Sequence, residues 1–432
     1  MSIRKKVIIV GSGAGGAVAA MELADTCDVT ILEAGKDFHP FSGSLDTFAS
    51  LRKTGLFLDE RMIRLLIPNM QVRKSESMVM VNGIGVGGTT TLATGNAVRT
   101  DGSLRALGID LDEQFEKLYE ILPITTEHKR YWNSATRELF ALFEKMGLDP
   151  QPTPKLLKSP KCANCGRCAI GCPAGIKWDT RDMIHDAENK GVKLITGCNV
   201  KELLIRGNEV TGIRTMQGCR EITYQADLYI LAAGGFGTPV ILENSGISCR
   251  KSLFVDPVLC VAAKRKGFGQ DSQLLMPFYS RQDGYMLSPY IDYLSFFFDR
   301  RWRYPKGDII SLMVKMSDDS CGSSEKRAIH KKLSDADRQR LKRGVRQCRR
   351  ILSEMGTAKE DMFLGILNAG HPGGMLPLTE DTKDCLHDRS LPVNLYAADC
   401  SLFPHSEGLP PILTIMALAM KVAGTAQKEV LH

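Results

Sequence analysis

Four cysteines stand close together in this chain: Cys162, Cys165, Cys168 and Cys172, the last followed by Pro173. Their spacing, C-x2-C-x2-C-x3-C-P, is that of the bacterial ferredoxin cluster run. Closely spaced thiolates can wrap a loop around one iron–sulfur cube, and the small neighbours Ala163, Gly166, Ala169 and Gly171 leave room for it. Zinc is the main rival, but structural zinc usually takes two cysteine pairs separated by a longer loop. The spacing therefore points to a [4Fe-4S] cluster with these four cysteines as metal ligands. In two-cluster ferredoxins the fourth cysteine serves the other cluster. This chain has one run, so the fourth ligand is either Cys172 or a remote thiol such as Cys198, Cys219 or Cys260.

A second set of residues suits phosphate. The β-branched run Val7–Val10 reads as a buried parallel strand and leads directly into Gly11-Ser12-Gly13-Ala14-Gly15-Gly16, a full G-x-G-x-x-G. Gly11 permits the tight turn, Gly13 lets the backbone approach a pyrophosphate, and Gly16 lets the helix pack on the strand. The helix start, with the amides of Ala14 and Gly15, faces the phosphates. A second strand, Asp28–Leu32, ends at Glu33, where an acid can accept ribose hydroxyls and argues against the 2′-phosphate of NADP.

Distal elements separate FAD from NAD. Asp227–Gly235 is an apolar strand ending in small residues, Ala233 and Gly234 among them, and continues through Thr238-Pro239 to Ser245-Gly246-Ile247. A glycine cluster runs from Asn82 to Thr90, and near the C-terminus Ala398-Asp399-Cys400-Ser401 precedes Pro411-Ile412-Leu413-Thr414. In order and spread this set resembles the glucose–methanol–choline (GMC) family of FAD-dependent oxidoreductases, over Val7 to Ala419, with almost no recognisable motif between Arg250 and Glu360. The resemblance implies a cofactor site formed by Gly11, Gly13, Ala14, Gly15, Gly16 and Glu33 on the ADP half of FAD. It places Gly87, Gly88 and Thr89 at the diphosphate or ring, Asp399 near the ribityl–pyrophosphate region, and the Val200 backbone at the adenine. Ala233, Gly234 and Thr414 complete the set. Many members lack a cysteine run, so the cluster rests on its spacing alone.

The same resemblance supplies the catalytic candidate. The family's base is a His in an H-x-x-G element, matched here by His371-Pro372-Gly373-Gly374, and an imidazole titrating near neutrality suits proton abstraction from a hydroxyl. A second polar partner, His or Asn, is usual just before the final P-x-x-T. This chain has Pro410 there, which donates no side-chain hydrogen bond; His405 and Glu407 are the nearby residues that could compensate.

The elements that must position these groups imply an α/β protein, α+β overall: a Rossmann-type FAD-binding domain, a sheet-based substrate domain and an inserted iron–sulfur loop. The FAD domain is expected from residues 1–100, 174–255 and 370–432, a helical connection from 101–149, the cluster insert from 150–173 and the substrate domain from 256–369. In the last, Leu274–Tyr279 and Tyr293–Phe298 read as strands, and Ser334 as the N-cap of a helix whose Leu341, Val345, Cys348, Leu352 and Met355 form a core-facing stripe.

The chain has 432 residues, 43% hydrophobic and 24% charged, which excludes disorder and fibrous classes. No apolar run reaches the ~20 residues of a membrane helix, and Met1–Lys6 lacks the pattern of a secretory signal. Thirteen cysteines, an odd number, cannot form a complete disulfide framework, and a cytoplasmic location is expected. The net charge of +7 is concentrated: Glu325–Arg350 holds eleven Lys/Arg against three Asp/Glu, without an aromatic residue. That argues for a local docking surface for an acidic electron carrier such as a ferredoxin, not for nucleic acid. The expected function is a flavin/iron–sulfur dehydrogenase that takes hydride from a carbinol-type substrate and passes single electrons to a protein acceptor, with oxygen disfavoured. The alternatives are a ferredoxin-driven reductase of a carbonyl or C=C bond, and a pure electron-transfer subunit.

Overall fold

The computed structural model describes residues 4–41, 63–76, 78–325 and 328–431. Strand Lys6–Val10 is buried beyond its first residue and pairs in parallel with Asp28–Leu32 on one side and Leu228–Leu231 on the other. Leu395–Ala397 and Lys193–Ile195 add parallel edges, giving a five-stranded parallel sheet. Such strands are covered on both faces, hence their unbroken apolar runs. Helix Ala14–Leu23 packs against this sheet and against the C-terminal helix Ile412–Leu431. The expected Rossmann-type unit is present. A three-stranded antiparallel sheet, Cys198–Arg206, Glu209–Gln217 and Arg220–Tyr224, follows the edge strand.

A nine-stranded mixed sheet forms the second half of the molecule. Its centre, Val258–Lys264 paired with Ile309–Met316, is buried almost throughout. Helix Asp335–Glu354 lies on this sheet, capped by Ser334 and Asp337, each of whose side chains accepts from the other's backbone N–H. The stripe is as expected: Cys348 and Leu352 are buried and Leu341, Val345 and Met355 pack beside them. Gly344 permits the close approach, since a Cβ there would stand 2.4 Å from Val314 Cγ1. Lys342, Arg343, Arg346, Arg349 and Arg350 are exposed; Lys326 and Arg327 of the same basic segment lie outside the described residues.

Two strand assignments need correction. Tyr293–Phe298 is a helix, started by Asp292, whose side chain accepts from Leu294 N at 3.0 Å. A short run of aromatic residues has no periodicity to separate strand from buried helix. Leu274–Pro277 is loop, with Met276 at φ 53°, and the strand begins at Phe278. The large sheet also draws in Met70–Ser75, Met78–Gly83 and Gln151–Pro152, so it extends across the sequence divisions at 100 and 150. Among the described residues no helix is long and apolar enough to cross a membrane.

Candidate active site

The glycines of the first turn divide into two kinds. Gly11 sits at φ 100°, where a Cβ would come within 2.4 Å of Ala232 O; a Cβ on Gly15 would meet Ala398 O at 1.7 Å, and one on Gly16 would meet Gly11 O at 1.9 Å. These three let backbone pack on backbone. Gly13 instead has a single neighbour, Gly88 Cα at 3.9 Å, and Gly234 has nothing within 4 Å. The result is an open cradle of bare peptide at the N-terminus of helix Ala14–Leu23, with Gly87 and Gly88 opposite. Bare amides at a helix start suit an anionic diphosphate.

Acidic groups brace this cradle. Glu33 is buried; its Oε2 accepts from Ser12 N (3.1 Å) and Oγ (2.7 Å), and its Oε1 from Gly35 N (2.9 Å) and Gly85 N (3.0 Å). Burial raises its pKa, against the pull of these donors. Glu33 therefore clasps the first glycine turn to the second, a task sequence reasoning did not foresee. Cys198 N donates to Glu33 O (2.9 Å), which starts the strand carrying Val200 beside it. Asp399 accepts from Gly234 N (2.8 Å), Thr238 Oγ1 (2.6 Å) and Ser401 N (2.8 Å), holding the start of helix Gly234–Asn244 at Ala233. Thr89 Oγ1 accepts from Gly83 N and Thr414 Oγ1 from Thr100 N, both at 3.0 Å.

Beyond the cradle lies a cavity bounded by Gly83 and Thr89 of the second glycine loop and by His371 and Pro410. His371 Nδ1 is 3.3 Å from Asp256 Oδ2, and no other side-chain partner of the ring is found among the described residues. With Nδ1–H donating to Asp256, Nε2 keeps its lone pair. Burial lowers the His371 pKa, as does the charge of Lys315, while Asp256 opposes both. Burial and Lys315 thus favour the neutral imidazole, the form that can accept a proton. Asp256 is fully buried at φ 51°; burial alone would raise its pKa, but Lys315 and His371 outweigh this and hold it at about 2. Its Oδ2 accepts from Lys315 Nζ (2.5 Å), and its Oδ1 from Ser406 Oγ and from Gly408 N (3.3 Å). Much of the remaining wall is apolar, from Ile63, Ile67, Leu92, Val258, Phe297 and Met313. Asp292 also lines it, its pKa raised to about 6 by burial, but accepts from Leu294 N, Ser295 Oγ and Asn368 Nδ2.

The cysteine loop forms another part of this wall, through Ala169 and Ile170. Gly166 (φ 64°) and Gly171 (φ 90°) turn it tightly; a Cβ on Gly166 would meet Asp271 O at 2.3 Å. Tyr293 Oη donates to Gly166 O at 2.7 Å. The four thiols are free and partly buried. Burial pushes Cys162 up to about 11, and negative charge on the other three acts the same way. Two lysines are buried beside the loop with no carboxylate at ion-pair distance among the described residues; burial lowers the pKa of both, Lys155 to about 7, and the charge of Asp179 opposes this at Lys177. Lys155 Nζ donates to Thr94 O, Asn96 Oδ1 and Leu275 O at 3.1, 2.5 and 2.7 Å. Lys177 Nζ donates to Thr90 O, Thr91 O, Ala93 O and Cys168 O, at 3.2, 2.6, 2.7 and 3.2 Å, tying the second glycine loop to the cysteine loop. Negative charge on Cys162 or Cys168 would raise the Lys155 pKa, and on Cys168 or Cys172 that of Lys177, a setting that suits an anionic iron–thiolate group in charge. Among the described residues, however, no group of three or more His, Cys, Asp or Glu is gathered to hold a metal ion. Cys198 and Cys260 lie on strands of the two antiparallel-paired sheets and Cys219 in an exposed hairpin, all outside this loop.

Residues 6–260, more than half of the chain, match the family model of the GMC oxidoreductases. The chain belongs to the GMC oxidoreductase family. Members of this family are FAD-dependent oxidoreductases, and the open cradle fits that cofactor. An uncharacterised protein of Methanocaldococcus jannaschii is 27% identical over 96% of this chain and 97% of its own length. The long-chain-alcohol oxidase FAO1 of Arabidopsis thaliana is 22% identical over 95% of this chain, which spans 65% of that oxidase. Among solved structures, pyridoxine 4-oxidase from Mesorbium loti superposes with a TM-score of 0.72 at 16% identity, covering 97% of this chain and 98% of that one. Formate oxidase of Aspergillus oryzae RIB40 superposes with 0.72 at 14% identity, covering 99% of each.

Within this GMC site, His405 and Glu407, the nearby residues that could compensate for Pro410, are placed elsewhere. His405 is exposed, and Glu407 accepts from Ser103 N (2.6 Å) at the start of helix Gly102–Ala106. The charged groups that do reach His371, Asp256 and Lys315, were missed in the sequence. Lys315 carried a signal: it is the one charged residue in the strand Ile309–Met316, all of which is buried.

Proposed function

We propose that this GMC oxidoreductase oxidises a carbinol with an extended apolar body and delivers the electrons to a protein carrier. The observation that carries the reading is His371 on the wall of a largely apolar cavity, held through Nδ1 by Asp256, with no side-chain partner for Nε2 among the described residues. Nε2 is placed to take the hydroxyl proton as the adjacent C–H is broken, while the apolar wall receives the body of the substrate and excludes water. When bound, FAD supplies the hydride acceptor, and a [4Fe-4S] cluster on Cys162, Cys165, Cys168 and Cys172 supplies one-electron chemistry. The name of the Arabidopsis relative, a long-chain-alcohol oxidase, supports the substrate class. The cysteine spacing, the two buried lysines whose pKa thiolate charge would raise, and the loop's place in the cavity wall support the cluster. A cytoplasmic setting agrees with thirteen free thiols. The test is anaerobic mixing with 1-alkanols from ethanol to 1-hexadecanol: flavin absorbance should bleach, fastest with the longer chains. No bleaching with any of them would overturn the substrate class.

A second reading, oxygen as acceptor, is favoured by the relatives and neighbours named as oxidases. Cys165→Ser separates the two. It should abolish protein-bound iron, keep FAD, leave alcohol bleaching intact and stop turnover with ferredoxin. Unchanged ferredoxin turnover would take the cluster off the electron path, and fast reoxidation by air would favour the oxidase.

For the carrier, the exposed basic face of helix Asp335–Glu354 is the proposed dock. Arg346, Arg349 and Arg350 replaced by Ser should slow ferredoxin reduction at least tenfold at low salt and flatten its salt dependence, since steering of this kind spans roughly ten- to a thousandfold. Slower bleaching by the alcohol instead would assign the face to the substrate.

A further inference from the structure

An ammonium has three N–H donors, and Lys315 commits two of them to protein: Asp256 Oδ2 at 2.5 Å and Leu409 O at 3.2 Å. No third acceptor lies within reach among the described residues, and the side chain is about 2% exposed. A buried cation with a spare donor is costly unless something is meant to receive it. The group lines the same cavity as His371, beside Pro410, and shares Asp256 Oδ2 with the imidazole. Base and cation therefore converge on one point from two elements, the His371 turn and the strand Ile309–Met316.

We propose that Lys315 is a catalytic residue: its free N–H receives the substrate oxygen and stabilises the negative charge that develops there as His371 takes the proton. The inference rests on the carbinol reading above and deepens it. In the step, the O–H bond breaks and its proton moves to His371 Nε2; the C–H bond breaks and its hydride leaves to FAD, which is reduced by two electrons; C–O becomes C=O. Lys315 stays protonated and Asp256 stays ionised throughout. Asp256 balances Lys315, so the pair adds no net charge to the cavity, and the spare N–H aims positive potential at the oxygen. A donor fixed in advance, in a site shielded from water, acts on charge that appears in the transition state. The same donor would polarise a carbonyl if flow were reversed, so the ligand class is an oxygen that carries or gains negative charge.

The test uses FAD-loaded protein with two probes: decanoate, an apolar chain ending in an oxyanion, and 1-decanol. Lys315→Met should weaken decanoate binding, read by calorimetry, at least tenfold. It should also slow bleaching by 1-decanol by about 10²–10³, the range for loss of one oxyanion donor, with KM little changed. Lys315→Arg should recover most of both. The charges facing His371 are Asp256 and Lys315, and those facing Lys315 are Asp256, Asp318 and His371. Since Lys315 lowers the His371 pKa, Lys315→Met should move the His371 titration in ¹⁵N-histidine NMR to higher pH. Unchanged decanoate binding and bleaching in a folded Lys315→Met protein overturns the proposal. If both Lys315→Met and Lys315→Gln lose FAD and fold, the ammonium belongs to the scaffold and the proposal is equally lost. Lys315-dependent decanoate binding without bleaching by any alcohol would sink the carbinol reading and leave the oxyanion role standing.

Discussion

His371→Ala is expected to slow flavin bleaching by an alcohol about 10²–10⁴-fold, the range for loss of a positioned general base. FAD content should be unchanged, because His371 stands on the cavity wall and holds no part of the glycine cradle. The loss should fall on kcat, with KM moved little, since the imidazole acts on a proton that transfers only in the transition state. Asp256→Asn is a harsher variant. It removes the charge that holds the ring and one of the two acceptor oxygens, and it leaves Lys315 buried without its counter-charge, a loss of about 3–5 kcal/mol in stability. The pH dependence adds a sign. Asp256 raises the His371 pKa, so removing its charge should move the acid limb of kcat/KM to lower pH in whatever activity survives. Stopped-flow absorbance under anaerobic conditions measures these changes. A decrease smaller than tenfold in His371→Ala would mean that another group takes the proton, and Asp292, with its pKa near 6 in the same cavity, would be the next to replace.

The parts of this site that sequence could reach are those written in local spacing. The strand, glycine turn, helix and terminal acid between Lys6 and Glu33 form one continuous unit, and each residue type has a local reason. His371 was reached through the family resemblance of its H-x-x-G element, and the structure places it on the cavity wall. Asp256 and Lys315 were not, because their meaning is tertiary: Asp256 acts from a left-handed loop position, Lys315 from a strand whose register with Val258–Lys264 brings it there. An isolated lysine in an apolar run is the trace such a group leaves, and it is weak until the strand is known to be buried. Glu33 shows the converse limit. Its position after the second strand pointed to a ribose, yet four protein donors already converge on its carboxylate, so its loss would also separate the two glycine turns. The helix at Tyr293–Phe298 was misread because burial on all sides erases periodicity.

The glycine turn yields the other large effect, and it separates cofactor from scaffold. Gly13→Val is expected to fold and to purify without flavin. Gly13 has φ −73° and ψ −163°, an extended conformation that a β-branched residue adopts readily, and its new Cβ would meet only Gly88 Cα at 3.9 Å. The folded protein would lose up to ~1 kcal/mol, because valine is a poor N-cap. The space the side chain enters is the cradle itself, so the diphosphate, not the protein, is displaced. Forcing extra methyl groups into an occupied site costs about 1–3 kcal/mol or more, which is roughly ten- to a hundredfold or greater in FAD affinity. Gly15→Val and Gly16→Val are the contrast. Their Cβ atoms would come within 1.7 Å of Ala398 O and 1.9 Å of Gly11 O, backbone that cannot withdraw without parting helix Ala14–Leu23 from its sheet. Those variants should lose soluble expression or cooperative unfolding together with FAD. Circular dichroism, thermal denaturation and the flavin-to-protein absorbance ratio read all three. Full flavin in a folded Gly13→Val protein would place the diphosphate elsewhere. Unfolding of Gly13→Val to the same degree as Gly16→Val would show that Gly13, too, serves the packing of the turn.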